Sequence, residues 1–350
     1  MRVVAAPDKL RGTATAAEAA AAVARAAGAA GWVCDEVPVA DGGEGTLDVL
    51  GGPNRVTTVT GPLGDPVEAA WRLDGRRAVV EMARASGLLL AGGPDGNDPI
   101  GASTAGTGEL IAAAVEGGAR RVLVGLGGSA TTDGGLGALR TLYPLHRYAG
   151  VELVCLCDVR IGFVEAAELF APQKGASAAQ VELLRRRLER LADVYLAEHG
   201  VEVRALPGAG AAGGLAGGLA CAGARLAAGF DVIADEFDLP DLIDGADLVV
   251  TAEGFLDEQS FEGKVVGGVA ELAATCGVPC VAIVGEVVEG LDLDAVVPGP
   301  GFEVVSLVER FGDERARAHT VACIEEVAAG LLGAHPAGAR RNAGPEEAVG

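Results

Sequence analysis

At 350 residues, half of them hydrophobic, the chain is longer than one ordinary core and can bury two. Its formal charge of −22 argues against nucleic acid as a partner, because that binding rests on Lys and Arg neutralising phosphates; an anionic small molecule would need local cations or a metal to offset the field. Seven irregularly spaced cysteines fit a reduced, cytoplasmic protein better than a disulfide framework, and four histidines without paired spacing make a His/Cys zinc site a poor expectation.

In chain order, Arg2 to Ala6 reads as a strand and loop rather than an export signal. The Thr15-Ala16-Ala17-Glu18 capping box then opens an Ala-rich helix to about Ala27, and Val33 to Val39 is a second strand. Val56 to Leu73 alternates about a Gly61–Pro66 turn and predicts two paired strands. Further strands are expected at Val79 to Met82, at Val122 and at Glu152 to Asp158, with helices at Gly108 to Glu116 and Ala178 to His199. The opening rhythm returns in strands at Asp247 to Thr251, Cys280 to Gly285 and Glu303 to Leu307, with helices at Lys264 to Thr275 and Arg315 to Leu332. No segment offers about 18 apolar residues free of Gly and charge, as a membrane span needs. The expected fold class is α/β: a discontinuous, doubly wound, Rossmann- or flavodoxin-like parallel-sheet domain at 1–58 and 236–333, an inserted α/β domain at 59–235, and a disordered tail at 334–350.

Three glycine-rich acidic segments follow apolar runs. They are Asp41-Gly42-Gly43-Glu44-Gly45-Thr46, Gly127-Gly128-Ser129-Ala130-Thr131-Thr132-Asp133-Gly134-Gly135 and Thr251-Ala252-Glu253-Gly254-Phe255-Leu256-Asp257. Glycine lets backbone approach a ligand closely, and acidic or hydroxyl side chains beside such turns suit magnesium, sugar hydroxyls and phosphates. Turns of one chemistry at the carboxyl ends of strands predict one converging site, and hence an enzyme.

These segments, with Ala6 to Thr13, Val80 to Leu88, Gly106 to Leu110, Cys157-Asp158-Val159, Pro172 to Ala176, Pro207 to Gly214 and the stretch through Lys264, resemble in order the bacterial class I glycerate kinases. The resemblance implies ATP- and magnesium-dependent phosphorylation of D-glycerate, at the 2-hydroxyl, in a cleft between two α/β domains of a monomer or homodimer. The chain departs from the family pattern at Lys9-Leu10-Arg11, at Ala252 where a glycine is usual, at Arg160 and in a short 136–150 stretch.

Phosphoryl transfer asks a protein for a phosphate nest, charge stabilisation and a base. No P-loop motif is present, so Gly127, Gly128, Ser129 and Thr131, with Asp133 and Lys174, are the candidate nucleotide site. Asp8, Lys9, Gly42, Gly43 and Glu44 are assigned to glycerate, with Asp41 as base and Arg11 and Lys264 as cations for the carboxylate and the moving phosphoryl group. Asp158, Glu253 and Asp257, at or after strand ends, are candidate magnesium ligands, Asp158 also being a catalytic candidate. Glu81 and Glu109 fit hydrogen-bonded structural roles. Gly208-Ala209-Gly210-Ala211-Ala212-Gly213 with Asp231 also satisfies a dinucleotide fingerprint, so an NAD-dependent oxidoreductase is a rival; its preceding segment is a poor buried strand. A non-catalytic binding protein of the same fold is a second rival.

Overall fold

The computed structural model describes residues 1–10, 12–158, 160–296, 299 and 301–334. Arg11 therefore lies outside the described residues, as does the expected tail beyond Ala334; Ala334 itself ends a helix.

The described strands, in chain order, are β1 (Arg2–Ala5), β2 (Val33–Glu36), β3 (Arg55–Thr60), β4 (Pro66–Asp74), β5 (Arg77–Glu81) and β6 (Arg121–Gly125). Then come β7 (Glu152–Cys157), β8 (Arg225–Ala228), β9 (Leu248–Leu256), β10 (Cys280–Val287) and β11 (Phe302–Ser306). They form two sheets, one in each of two compact units. The protein is thus of the α/β class, with parallel sheets and a discontinuous first unit.

The first unit comprises Met1–Pro38, Leu239–Glu258 and the described residues from Val269 onward. Its sheet runs β11-β10-β9-β1-β2, every pair parallel. Central strands buried on both faces read as unbroken apolar runs, as Cys280–Val284 does. The helix Ala16–Ala30 covers the sheet with its alanine stripe. Its start is fixed reciprocally: Glu18 N–H donates to Thr15 Oγ1 (3.1 Å), and Thr15 N–H donates to Glu18 Oε2 (2.9 Å). It stops at Gly31 in the left-handed region, φ 76°. Beside it packs Thr320–Ala334. The single helix expected over Arg315 to Leu332 is two, because Asp313–Ala318 ends at His319 before Thr320 begins the next.

The second unit is Val39–Asp238 with Gln259–Gly268. Its sheet runs β3-β4-β5-β6-β7-β8, antiparallel through β5 and parallel from there on. One core lies under Ala105–Glu116 and another under Ala178–His199, where Phe163, Leu184, Leu188 and Tyr195 are buried. Cys155 is fully buried in β7 and Cys157 nearly so. All seven cysteines are free of disulfides.

Three stretches expected in the first domain, residues 39–58, 236–238 and 259–268, lie in the second unit, and one expected turn is a strand. Residues 39–58 belong to the second unit, because the Asp41 turn is bound there: Leu126 N–H donates to the Gly42 carbonyl, and Gly45 and Leu47 N–H groups donate to Glu81. The segment Thr251 to Leu256 is not a turn but the end of β9, paired with β10 as far as Val287. Ala252 sits in that strand, so the missing glycine carries no positive-φ strain.

Candidate active site

In the second unit the site residues gather at the carboxyl edge of the parallel strands, where open α/β sheets bind ligands. β5 ends at Glu81, which is buried and spends both oxygens: Oε1 accepts from Gly45 N–H (3.0 Å) and Leu47 N–H (2.9 Å), and Oε2 from Arg84 Nε (3.0 Å). A buried carboxylate needs such partners, and this one anchors the Asp41 turn. Glu109 likewise accepts from the Thr60 N–H and hydroxyl.

The Asp41 turn and the Gly127 turn are packed together. A Cβ on Gly127 would lie 2.9 Å from Gly43 Cα, and one on Gly42 would lie 2.6 Å from Leu156 Cβ at the end of β7. Gly42 has φ 93°, so both space and backbone require glycine there. Asp41 Oδ1 accepts from Gly43 N–H at 2.9 Å; among the described residues Oδ2 accepts no hydrogen bond. Glu44 follows, and Asp158, just past β7, is exposed.

In the second turn, Ser129 and Thr131 are buried. Lys174, only 5 % exposed, reaches in from Pro172–Lys174. Its Nζ donates to Ser129 Oγ (2.8 Å) and to the Thr131 carbonyl (2.7 Å). Burial pushes the Lys174 amine down to about 7, opposed by the Asp133 carboxylate. Asp133 itself accepts four hydrogen bonds: Oδ2 from Thr104 N–H, Thr104 Oγ1 and Gly137 N–H, and Oδ1 from Gly135 N–H. Its carboxylate shapes the turn and ties it to Thr104. Lys264 precedes the helix Val265–Cys276 and is half-buried.

In the first unit, Asp8 follows β1, takes its N–H to the Ala252 carbonyl (2.8 Å) and accepts from Lys9 N–H through Oδ1 (2.7 Å). Lys9 Nζ lies 3.9 Å from that carboxylate. Glu253 is 8 % exposed on the adjacent β9, and Asp257 follows that strand. Among the described residues no three His, Cys, Asp or Glu side chains form a ready metal cluster.

Two residues were not singled out in the sequence. Asn97 Nδ2 donates to both the Ala130 carbonyl (3.0 Å) and the Lys174 carbonyl (2.9 Å), tying the two loops together. Arg84 stands half-exposed beside Glu81. Neither has a local signal: Asn97 reads as a turn residue and Arg84 as a surface charge. The dinucleotide fingerprint at Gly208 follows a short 3-10 segment, not a strand. Its glycines serve packing, since a Cβ on Gly213 would lie 1.9 Å from the Thr131 carbonyl oxygen.

Paired glycine-rich turns thus meet at the carboxyl edge of an α/β sheet, with a buried lysine in one and an acid in the other. The glycerate kinase family profile matches residues 3–143 and 144–332, and the chain belongs to that family of enzymes. It is 37% identical over 331 residues to a glycerate 2-kinase of Escherichia coli K12, covering 83% of this chain and 86% of that one. To a glycerate kinase of Bacillus subtilis 168 it is 37% identical over 348 residues, covering 85% and 91%. A crystal structure from Salmonella typhimurium LT2, provisionally assigned as glycerate kinase 2, superposes with a TM-score of 0.78 at 32% identity, over 95% of this chain and 98% of that one. Among the described residues no helix is long and apolar enough to cross a membrane.

Proposed function

We propose that the protein transfers a phosphoryl group from ATP to D-glycerate, giving 2-phosphoglycerate, in the cytoplasm. The observation that carries this is the contact between the two glycine-rich turns, one offering a carboxylate oxygen free to accept a proton and the other a buried cation among hydroxyls. Glycerate is assigned to the Asp41–Glu44 turn, with Asp8 and Lys9 as further substrate residues. Asp41 Oδ2 would take the hydroxyl proton as the new phosphorus–oxygen bond forms and the γ-phosphorus bond to the β–γ bridging oxygen breaks, releasing ADP, while Oδ1 stays fixed by Gly43 N–H. The nucleotide phosphates are assigned to Gly127, Gly128, Ser129 and Thr131 with Lys174, and Lys264 and Arg11 are the cations for the moving charge.

Magnesium bound through nucleotide phosphates needs only one or two protein carboxylates and completes its shell with water. Asp158, Glu253 or Asp257, each a hard oxygen donor, is assigned to it. When bound, the ion would neutralise charge on the transferring phosphates.

The test is ATP-dependent conversion of D-glycerate, coupled through enolase and pyruvate kinase–lactate dehydrogenase, with and without phosphoglycerate mutase. Signal without mutase is expected, because enolase consumes 2-phosphoglycerate directly. Signal only with mutase would move the acceptor to the 3-hydroxyl. No signal from folded protein with magnesium present would sink the proposal.

A further inference from the structure

Lys174 is a buried cation without a counter-ion. Among the described residues its ammonium makes no ion pair, and its hydrogen bonds go to a hydroxyl and a carbonyl. In the same turn, and in the Asn97 side chain that ties it to the Lys174 loop, Thr131 Oγ1, Thr132 Oγ1 and Asn97 Oδ1 are buried with no hydrogen-bond partner among the described residues. Buried polar atoms are rarely orphaned, and orphaned hydroxyls in a turn whose buried lysine has no ion pair suit a group that accepts several hydrogen bonds and carries negative charge. A phosphoryl group does both.

Building on the nucleotide assignment above, we propose that the Ser129–Thr132 turn with Lys174 is a proton-coupled phosphoryl subsite: binding of the group draws a proton from solvent onto the Lys174 amine. Asn97 is the positioning residue, because its single amide nitrogen holds the Ala130 and Lys174 carbonyls together. The groups facing the amine are few. Ser129 and Thr131 bond it, the Phe170 ring lies 5.9 Å away, and Asp133 is the acid whose field reaches it. Asp95, Glu165 and Glu168, on or beside the short helices packed against Pro172–Lys174, are exposed to solvent, and Arg84 is the half-exposed cation three residues before the Gly87–Ser129 bridge.

The sign follows from burial. With the amine lowered to about 7, an empty site holds it mostly protonated at pH 6 and mostly neutral at pH 8.5. A bound anion restores the charged form, so uptake is small at the lower pH and approaches one proton at the higher.

The experiment is isothermal titration calorimetry of the full chain at pH 6.0, 7.5 and 8.5, each in two buffers of different ionisation enthalpy. The probes are MgADP, MgATP without any acid substrate, and sulfate, a tetrahedral dianion that does not titrate in this range. Expected with the nucleotides is uptake that rises with pH in the wild type and is absent in Lys174→Arg, whose charge is permanent. Lys174→Met should lose uptake and at least tenfold in affinity; Asn97→Ala should weaken binding several-fold while keeping uptake. Equal uptake in wild type and Lys174→Arg overturns the proposal, as does binding at pH 8.5 with no uptake for the nucleotides and for sulfate alike. If Lys174→Met does not fold, the wild type and Lys174→Arg decide alone. Uptake with sulfate but with neither nucleotide would leave the subsite standing and overturn the ATP assignment, so the two failures are distinguishable.

Discussion

The two glycine-rich turns of the second unit look alike in sequence and behave as opposites. Each carries an aspartate beside paired glycines, yet Asp133 accepts from four donors while Asp41 accepts from one, Gly43 N–H. An acid bonded fourfold, to its own turn and to Thr104, is held as scaffold; one with an oxygen that accepts no hydrogen bond has an acceptor to offer. On the proposed function, the acid is the reactive group in the Asp41 turn and Lys174 is the reactive group in the Gly127 turn.

Replacing each acid by its amide should break the symmetry. Asp41→Asn keeps the Oδ1 acceptor for Gly43 N–H, so the fold should persist while kcat falls at least a hundredfold, in line with the roughly 10²- to 10⁴-fold worth of a general base. Steady-state kinetics beside a thermal melt would check this, and a kcat within threefold of wild type would remove Asp41 as base. Asp133→Asn should do the reverse. Either amide orientation sets an NH2 against an N–H donor, costing about 2–4 kcal/mol through lost and mismatched hydrogen bonds. A melt should register this, with kcat little changed at a temperature where the variant is folded. A large loss of kcat with an unchanged melt would instead make Asp133 a ligand-contacting residue.

The smallest expected effect sharpens the Lys174 side. A lysine lowered to about 7 in the native state binds fewer protons than in the unfolded chain between that pH and its ordinary 10.5. Stability of the ligand-free protein from this group therefore rises with pH across that window, and below pH 7 the full cost of burying the charge is present. Lys174→Met removes that cost, so its Tm relative to wild type should improve as pH falls from 9 to 6. A difference in Tm that is flat with pH would mean the amine is not held near neutrality.

Local signals in the sequence carried much of the fold. Thr15 and Glu18 mark a helix start by contacts three positions apart, and Ala178–His199 begins and ends where its periodicity does. What sequence could not show depends on distant partners. Arg225–Ala228 becomes a strand only because β7 is there to pair with it. The Asp41 turn joins the second unit because Glu81, some forty positions on, receives its N–H groups. Of the site, the glycine-rich turns were visible as motifs, whereas the burial of Lys174 and the bridge made by Asn97 arise only when three loops meet.

The chain's many glycines have unequal futures under mutation. Those at Gly28 and Gly333 have open space where a side chain would go. By contrast Gly218 and Gly135 face each other backbone to backbone, each leaving the other's would-be Cβ within 2.9 Å of a main-chain atom. A lineage drifting in sequence can revise the first kind one codon at a time. The second kind can change only if both backbones move apart together, so the ground beneath the Gly127 turn is held against neutral drift by geometry alone.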